Sequence, residues 1–430
     1  MSTPLWYHNH TKHTPYRSAP SAGYMDWANQ PNPFRNFKGC PRIGLSLETH
    51  SKTAAYETLY DGQLSRAEIN SNSISLFFRY SLALSAWKSI PESRWSLRIN
   101  PSSGNLHPTE AYFIGYNTAY SGFFHYSPYD HSLEERASFS QVLSEKLQEK
   151  LGKNSFIVGL SSILWRESWK YGERAYRYCN HDVGHALAAL SFSASLLGWR
   201  INILQELSSD ELDGILGFNR TQFLSGEEEH ADILLLVTAT DELASLHLNS
   251  DIISELSTLP LQGTAQALSD ETFLWKEAAQ MPQLCKTPKL SHQAFETEFT
   301  HGHMSEVNRL DAGTTIRSRR SAVDFDGSTG MSKEAFFDIC MRLMPDTRKA
   351  PYSLWNYEPN INIVFFVHRV LNLEPGIYLL SRSNALEAFM REELDQSYHW
   401  SKVHPELPLF QLLQQNTTKV AASISCGQDI

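Results

Sequence analysis

The feature that most constrains how this chain folds is a pattern that occurs twice along its 430 residues. Both halves contain, in the same order, a Phe-Phe pair in a helical pattern, an apolar strand, a glycine-led strand and a run of small residues. The paired segments are Phe77-Phe78 and Phe336-Phe337, Ala111–Tyr116 and Ile361–Val367, Gly122–Ser127 and Gly376–Ser381, and Val158–Ile163 and Val420–Ile424. Because order and spacing are both kept, the sequence predicts two tandem copies of one domain.

The second copy is shorter than the first. Ile430 falls where the first copy has only reached about residue 168. Counterparts are therefore missing for Asp182–Leu197, whose apolar faces predict a buried helix, and for the strand Ile233–Val237. We predict an N-terminal arm at 1–60, a first domain at 61–240, a linker at 241–305 and an incomplete second domain at 306–430.

Hydrophobic periodicity predicts the elements of the first copy. A helical pattern begins at about Asp61 and continues through Phe77 to Leu84, and Ala111–Tyr116 is expected to pair with Gly122–Tyr126 as a hairpin. The other predicted elements are an exposed helix Glu134–Leu151, a strand Ser155–Leu164, a helix Trp165–Tyr178, a strand Ala231–Val237, and helical patches Asp251–Leu256 and Glu271–Ala279 in the linker.

The composition is that of a globular chain, since 41% of the residues are hydrophobic and 12% are aromatic. Lys and Arg number 37 against 47 Asp and Glu, and the net charge of −10 disfavours nucleic acid and anionic membranes as partners. The five cysteines are odd in number and far apart, and no apolar run approaches the roughly 20 residues of a membrane span. We therefore expect a cytoplasmic protein that is neither exported nor membrane-bound.

The loop Pro-Ser-Ser-Gly-Asn-Leu-His-Pro at 101–108 is the first candidate binding element. Its two prolines restrict φ, and Gly104 lacks the Cβ that would keep the backbone away from a flat ligand. Ser102, Ser103 and Asn105 offer short donors and acceptors to a heteroaromatic edge. The alternative interpretation is an ordinary turn between a helix and a strand.

A basic cluster opens the second copy. Arg317, Arg319 and Arg320 precede Ser321 in a chain that is acidic overall. Guanidinium forks and a serine hydroxyl suit phosphate oxygens, so the cluster predicts a phosphate site. A solvated run of charge at a helix end is the alternative.

The predicted helix 165–178 mixes basic and aromatic residues. Its basic stripe consists of Arg166, Lys170, Arg174 and Arg177, with Trp165 and Trp169 on the adjoining face. A lysine held among aromatic rings can have its pKa lowered, and Tyr171 beside Lys170 is placed to pass a proton. The alternative is a set of long basic side chains that cover an aromatic core.

His181 and His185 have the i, i+4 spacing of a metalloprotease helix, which leaves a zinc hydrolase as a remote alternative. The acidic residue between them is an aspartate, whose shorter arm reaches a metal-bound water poorly. We therefore prefer a structural role, with Asp182 near the start of its helix and His185 hydrogen-bonded inside the core. No metal is expected.

Together these residues resemble the nitroreductase superfamily of flavin enzymes, in particular its SagB-type dehydrogenase branch, which includes the azoline oxidases. Pro101, Ser102, Ser103 and Asn105 are similar to the family's P-S-S-x-N loop, which lies against the isoalloxazine ring of FMN. Arg319-Arg320-Ser321, with Arg317 beside it, is similar to the R-x-S motif that holds the FMN phosphate. Lys170 and Tyr171 resemble the Lys-Tyr pair linked to proton removal in azoline oxidases.

The resemblance implies an α+β fold, with two nitroreductase-like domains whose mostly antiparallel sheets are flanked by helices. The tandem chain would form an intrachain pseudo-dimer with a truncated second copy and one FMN site across the two halves. The implied activity is hydride transfer through flavin N5 to or from a small organic substrate, with NAD(P)H as a candidate electron donor. Azoline oxidation in peptide modification and a catalytically inactive truncated paralogue are the alternatives, and association between chains stays open.

Overall fold

The computed structural model describes residues 3–14, 16–47, 53–60, 64–116, 120–240, 246–289, 310–322, 324–355 and 357–425. Two parts of the predicted linker, 241–245 and 290–305, lie outside these described residues. The strands are β1 Phe37–Lys38, β2 Arg42–Gly44, β3 Leu84–Ile90, β4 Ser93–Arg98, β5 Thr109–Gly115, β6 Gly122–Ser127, β7 Ser132–Ser138, β8 Ser155–Ile163, β9 Arg200–Ile203, β10 Glu229–Thr238, β11 Thr264–Ala265, β12 Ile363–Val367, β13 Gly376–Leu380, β14 Ser401–Lys402 and β15 Leu409–Gln414.

The described residues also form α-helices. They are α1 Pro4–His10, α2 Ser71–Arg79, α3 Gln141–Leu151, α4 Leu164–Tyr171, α5 Ala175–Leu196, α6 Ser209–Ile215, α7 Ser250–Thr258, α8 Lys276–Ala279, α9 Met281–Leu284, α10 Ala312–Ser318, α11 Lys333–Leu343, α12 Asn384–Glu393 and α13 Thr418–Ile424. Among these described helices, none combines the length and apolar character that crossing a membrane requires.

A seven-stranded sheet organises the first half, in the order β2-β7-β6-β5-β8-β10-β9, and its neighbouring strands are all antiparallel. Alternate side chains of each strand point to opposite faces, so Phe113 packs on the face covered by α2 and α5, and Ile114 on the face covered by α3 and α7. Strands buried on both faces read as continuous apolar runs. The predicted α+β class, with a mostly antiparallel sheet flanked by helices, is confirmed.

The second half has its own four-stranded antiparallel sheet, in the order β12-β13-β15-β14, with Phe336 and Cys340 of α11 in its core. The β12–β13 hairpin follows α11, whereas in the first half the β3–β4 hairpin lies between α2 and the β5–β6 hairpin. Val420–Ile424, which was expected to repeat the run Val158–Ile163, lies in helix α13, whereas Val158–Ile163 lies in strand β8. The third long strand is β15, so the proposed echo of Val158–Ile163 fails. The tandem interpretation and its boundaries stay predictions.

Several predicted elements differ from the structure. Between residues 64 and 84, the described part of the helix expected from about Asp61, the helix is confined to α2, and Leu84 begins β3 of an unpredicted β3–β4 hairpin. Asp61 itself lies outside the described residues. The first residues of the expected helix Glu134–Leu151 form β7, and α3 begins only at Gln141. The expected helix Trp165–Tyr178 is interrupted at Gly172, so that α4 and α5 are separate helices.

Other elements match the prediction closely. β5 and β6 form the expected hairpin, and Tyr112 is paired with His125. β8 covers Ser155–Ile163, while β10 contains the predicted strand Ala231–Val237. The strongest apolar runs of the sequence thus became the centre of the large sheet.

Candidate functional site

The loop 101–105 is tied to the long helix α5 by a buried carboxylate. Asp182 Oδ1 accepts hydrogen bonds from the backbone N of Ser103 at 3.0 Å and from its Oγ at 2.9 Å. Asp182 is 1% exposed and lies well inside α5. The expectation that it stands near a helix start is therefore wrong, since its oxygens hold the loop instead of capping a helix.

The remaining polar groups of the loop are also bonded to protein. Asn105 Nδ2 donates to the carbonyl of Ser96 at 2.9 Å, and Asn105 Oδ1 lies 2.9 Å from His107 Nε2. The backbone N of His107 donates to Ser102 Oγ at 2.8 Å. Burial holds the pKa of His107 well below its usual value, and the Arg98 and Arg166 charges act in the same direction. The loop is thus held in one shape by its own side chains, including those expected to offer donors to a ligand.

The structure brings this loop against Lys170 and Tyr171. Gly104 has a φ of +59°, and a Cβ placed on it would lie 2.8 Å from Tyr171 Oη and 3.1 Å from Lys170 Nζ. Any side chain at this position would push the two polar tips away. Burial raises the pKa of Tyr171 above its usual value, and the nearby Glu167 carboxyl adds to the effect. Tyr171 therefore keeps its proton at neutral pH.

Glu167 is a member of this cluster that the sequence interpretation missed. It is fully buried on α4, one turn before Lys170 and Tyr171, and neither carboxyl oxygen has a hydrogen-bond partner among the described residues. Burial raises its pKa well above the usual value, and the charge of Asp182 raises it further. Its spacing from Lys170 and Tyr171 was the signal that could have identified it.

The predicted basic stripe is wrong. Arg166 is fully buried, with Nη1 at 2.5 Å from Glu110 Oε1 and 2.6 Å from the carbonyl of His107. The turn at Gly172 also separates Arg166 and Lys170 from Arg174 and Arg177. Arg166 thus contacts the end of the loop at His107, and Lys170 lies beside Gly104. The indoles of Trp165 and Trp169 are buried and donate to Ser269 Oγ and the carbonyl of Asp26.

The predicted phosphate cluster lies on the surface at the end of α10. Arg319, Arg320 and Ser321 are exposed, and Arg320 Nη2 approaches the carbonyl of Ser85 on β3 at 3.5 Å. Within the part of the chain that the structure describes, no carboxylate forms an ion pair with Arg317, Arg319 or Arg320. Since Asn105 binds Ser96 on β4, both predicted parts of the site contact the β3–β4 hairpin.

His185 does not enter the core as expected. The His185 side chain is 47% exposed, and its Nδ1 lies 3.7 Å from Asp182 Oδ1. The predicted internal hydrogen bond of His185 is therefore wrong. Among the described residues, no group of three or more His, Cys, Asp or Glu side chains is arranged to hold a metal ion.

A cavity of about 900 Å³ lies elsewhere, between α5 and the segment 345–361. None of the predicted site residues lines it. Its lining residues are Asn180, Val183, Gly184, Leu187, Ala188, Ile203, Asp232, Ile233, Pro345, Thr347, Pro351, Tyr352, Leu354, Trp355, Tyr357, Glu358, Pro359, Asn360, Ile361 and Arg382. The sequence signals for this cavity were a glycine inside a helical pattern and the prolines of 345–361.

No family model matches this chain, and no curated protein matches it either. Among solved structures, a candidate nitroreductase from Anabaena variabilis superposes with a TM-score of 0.63 at 18% identity, over 99% of this chain and 81% of that one. A microcin synthetase complex of E. coli gives a TM-score of 0.32 at 17% identity, over 46% of this chain and 71% of that chain. A candidate nitroreductase from Ralstonia eutropha gives a TM-score of 0.34 at 12% identity, over 51% of this chain and 96% of that chain. The first superposition shows that the fold is nitroreductase-like.

Proposed function

We propose that this chain is an FMN-dependent oxidoreductase of the nitroreductase/SagB type, acting on a small organic substrate with NAD(P)H as a candidate electron donor. The observation that carries the proposal is the position of the loop 101–105. On a nitroreductase-like fold, Asp182 fixes this loop, and its Gly104 lies against the polar tips of Lys170 and Tyr171. A rigid loop beside two proton-bearing side chains is suited to redox chemistry on a flat ring.

The residues present fit FMN. Arg317, Arg319 and Arg320 concentrate positive charge without carboxylate partners in the described chain, which suits the FMN phosphate. The loop 101–105 keeps its shape through internal hydrogen bonds, so it offers a preformed surface to the ring. Both groups adjoin the β3–β4 hairpin, along which the ring and the phosphate would lie.

Bound FMN would supply the hydride chemistry, accepting a hydride at N5 and passing it on. The chain itself would position the ring and exchange protons. Tyr171 holds its proton because burial raises its pKa, so its phenol is a hydrogen-bond donor at neutral pH. Lys170 Nζ lies 5.5 Å from the centre of the Tyr171 ring, so the amino group and the phenol would meet the ring at the same place.

Azoline oxidation is the second candidate. Oxidation of a thiazoline or oxazoline ring removes a proton together with a hydride, so it needs a base beside the ring. Lys170 Nζ and Tyr171 Oη converge on Gly104 and supply two groups that could exchange that proton. A substitution of Lys170 by methionine should then leave flavin retention intact and slow turnover of an azoline.

Flavin retention tests the proposal. The full chain is mixed with FMN, passed through a desalting column, and its bound flavin is measured by visible absorbance. Arg319→Ala would remove one charge-assisted contact to the phosphate and should weaken FMN binding by about 10-fold to 100-fold. Asn105→Ala should weaken FMN binding, because Asn105 bonds the ring-facing loop to Ser96.

The matched control is Arg369→Ala, which removes another exposed arginine of the second half and should leave FMN binding unchanged. The proposal fails if the unaltered chain retains no flavin. It also fails if Arg319→Ala and Asn105→Ala both retain flavin as well as the control does.

A further inference from the structure

We propose that the cavity between α5 and the segment 345–361 binds an uncharged, planar aromatic molecule that carries one hydrogen-bond donor, of the indole or phenol class. The cavity of about 900 Å³ lies within the range of small-molecule sites. Nothing in this inference depends on a flavin, because it rests only on the walls of the cavity.

The shape and composition of the walls favour a flat apolar ligand. One wall consists of aliphatic side chains, among them Val183, Leu187 and Ile233. The facing wall contains the rings of Tyr352 and Trp355. Aromatic rings stack or meet edge to face with other rings, and such contacts add to the burial of apolar area.

Gly184 leaves the α5 side of the cavity open. A Cβ placed on this glycine would meet no heavy atom within 4 Å, although Gly184 lies inside a helix of 22 residues. Glycine inside a helix costs about 1 kcal/mol relative to alanine, and no backbone contact here requires it. The missing side chain therefore leaves space over α5 that a ligand can occupy.

One carboxyl gives the apolar cavity a polar point of attachment. Asp232 Oδ2 accepts a hydrogen bond from Ser162 Oγ at 2.8 Å, which leaves acceptor capacity on the carboxyl for a ligand N–H or O–H. Burial raises the pKa of Asp232 to about 7. A carboxyl in so apolar a setting gains from a neutral donor that replaces lost water.

The charges around the cavity argue against a phosphate-bearing ligand. Asp232 and Glu358 are acidic, and Arg382 is the only basic residue that lines the described cavity. The Arg382 guanidinium lies 5.4 Å from the Tyr352 ring centre, and its Nε donates to the carbonyl of Leu343. This lining differs from the three arginines of the phosphate cluster, so the cavity disfavours an anionic ligand.

Calorimetric titration of the full chain with indole, without FMN, tests the proposal. Indole should saturate one site per chain. In Gly184→Phe, the new ring fills the open space and should weaken the affinity for indole by about tenfold or more. The affinity of Gly184→Ala for indole should stay within about threefold of that of the unaltered chain. Thermal unfolding of both variants checks that they are folded.

A second measurement does not depend on any variant. 1-Methylindole keeps the flat ring but lacks the N–H, so its binding should be about tenfold weaker because it donates no hydrogen bond to the Asp232 carboxyl. The proposal is overturned if indole does not saturate, if folded Gly184→Phe binds it as well as Gly184→Ala, or if 1-methylindole binds equally. It is also overturned if FMN competes with indole. Failure of FMN to be retained would contradict the proposed oxidoreductase and leave the indole result standing.

Discussion

At the scale of single residues, Glu167 has the least usual electrostatic environment near Lys170 and Tyr171. Its carboxyl is fully buried, has no hydrogen-bond partner among the described residues, and lies near the charge of Asp182. Burial raises its pKa well above the usual value, although Lys170 opposes the shift. The folded protein therefore binds a proton at Glu167 at pH values where the unfolded chain has released it.

Proton binding by Glu167 in the folded state makes the free energy of unfolding fall as the pH rises. A raised folded pKa contributes stability that is complete below the unfolded pKa of about 4.3 and is lost as pH rises toward the folded pKa. Relative to Glu167→Gln, which stays neutral, the unaltered chain should lose up to about 1.4 kcal/mol of unfolding free energy per pH unit in that window. Urea unfolding at pH 5, 6 and 7 measures the difference.

The exposed Glu149 provides the control, because its carboxyl stays in water in both states. The difference between Glu149→Gln and the unaltered chain should not change across the same pH range. If the free-energy difference between Glu167→Gln and the unaltered chain is also constant from pH 5 to 7, folding does not raise the pKa of the buried Glu167 carboxyl.

Residue types could be predicted here more readily than their partners. The sequence singled out Lys170, Tyr171 and the loop 101–105, and the structure places them in contact. It could not show that Asp182 holds Ser103, because 79 positions separate the two residues and only the packing of α5 brings them together. Their roles in binding and catalysis stay predictions.

At the scale of elements, the break between α4 and α5 depends on one glycine. Gly172 has a φ of +54° and a ψ of −125°, a conformation that residues with a Cβ rarely adopt. A Cβ there would lie 2.7 Å from the carbonyl of Pro20 and 2.8 Å from Ser21 Cα. The N-terminal arm thus packs against the turn that directs α5 across the sheet.

Two glycine substitutions should therefore have opposite effects. Gly172→Ala should lower the free energy of unfolding by about 1–3 kcal/mol, because it adds backbone strain and a clash with the arm. Gly184→Ala adds its methyl to open space inside α5 and should raise stability by up to about 1 kcal/mol. Denaturant titration of the two variants measures both changes, and equal shifts would contradict the special role of Gly172.

The strands show what hydrophobic periodicity can and cannot predict. Runs buried on both faces, such as β8 and β10, were found because their apolar residues are continuous. The β3–β4 hairpin was missed because its strands are mostly partly exposed and show no long apolar run. Val420–Ile424 is similar in composition to Val158–Ile163, but so short a run does not distinguish a strand from a helix, and it lies in α13.

At the scale of the whole molecule, an ion pair joins the two halves. Arg342 of α11 donates to Glu57, and its guanidinium lies 4.7 Å from the Tyr60 ring centre. The side chains of Arg342 and Glu57 are only 27% and 13% exposed. Removal of one partner from such a partly buried pair leaves the other charge poorly solvated.

Arg342→Met should therefore loosen the second half before the first. We expect a loss of about 1–3 kcal/mol in unfolding free energy, with faster hydrogen exchange at the amides of β12 and β13 and unchanged exchange in β8. Lys146→Met is the matched control, since its pair with Glu255 is about 40% exposed on both sides and joins α3 to α7, which both cover the seven-stranded sheet. Lys146→Met should lower the free energy of unfolding by less than about 1 kcal/mol. Equal exchange rates in β12 and β13 of the two variants would show that the contact between the halves does not depend on Arg342.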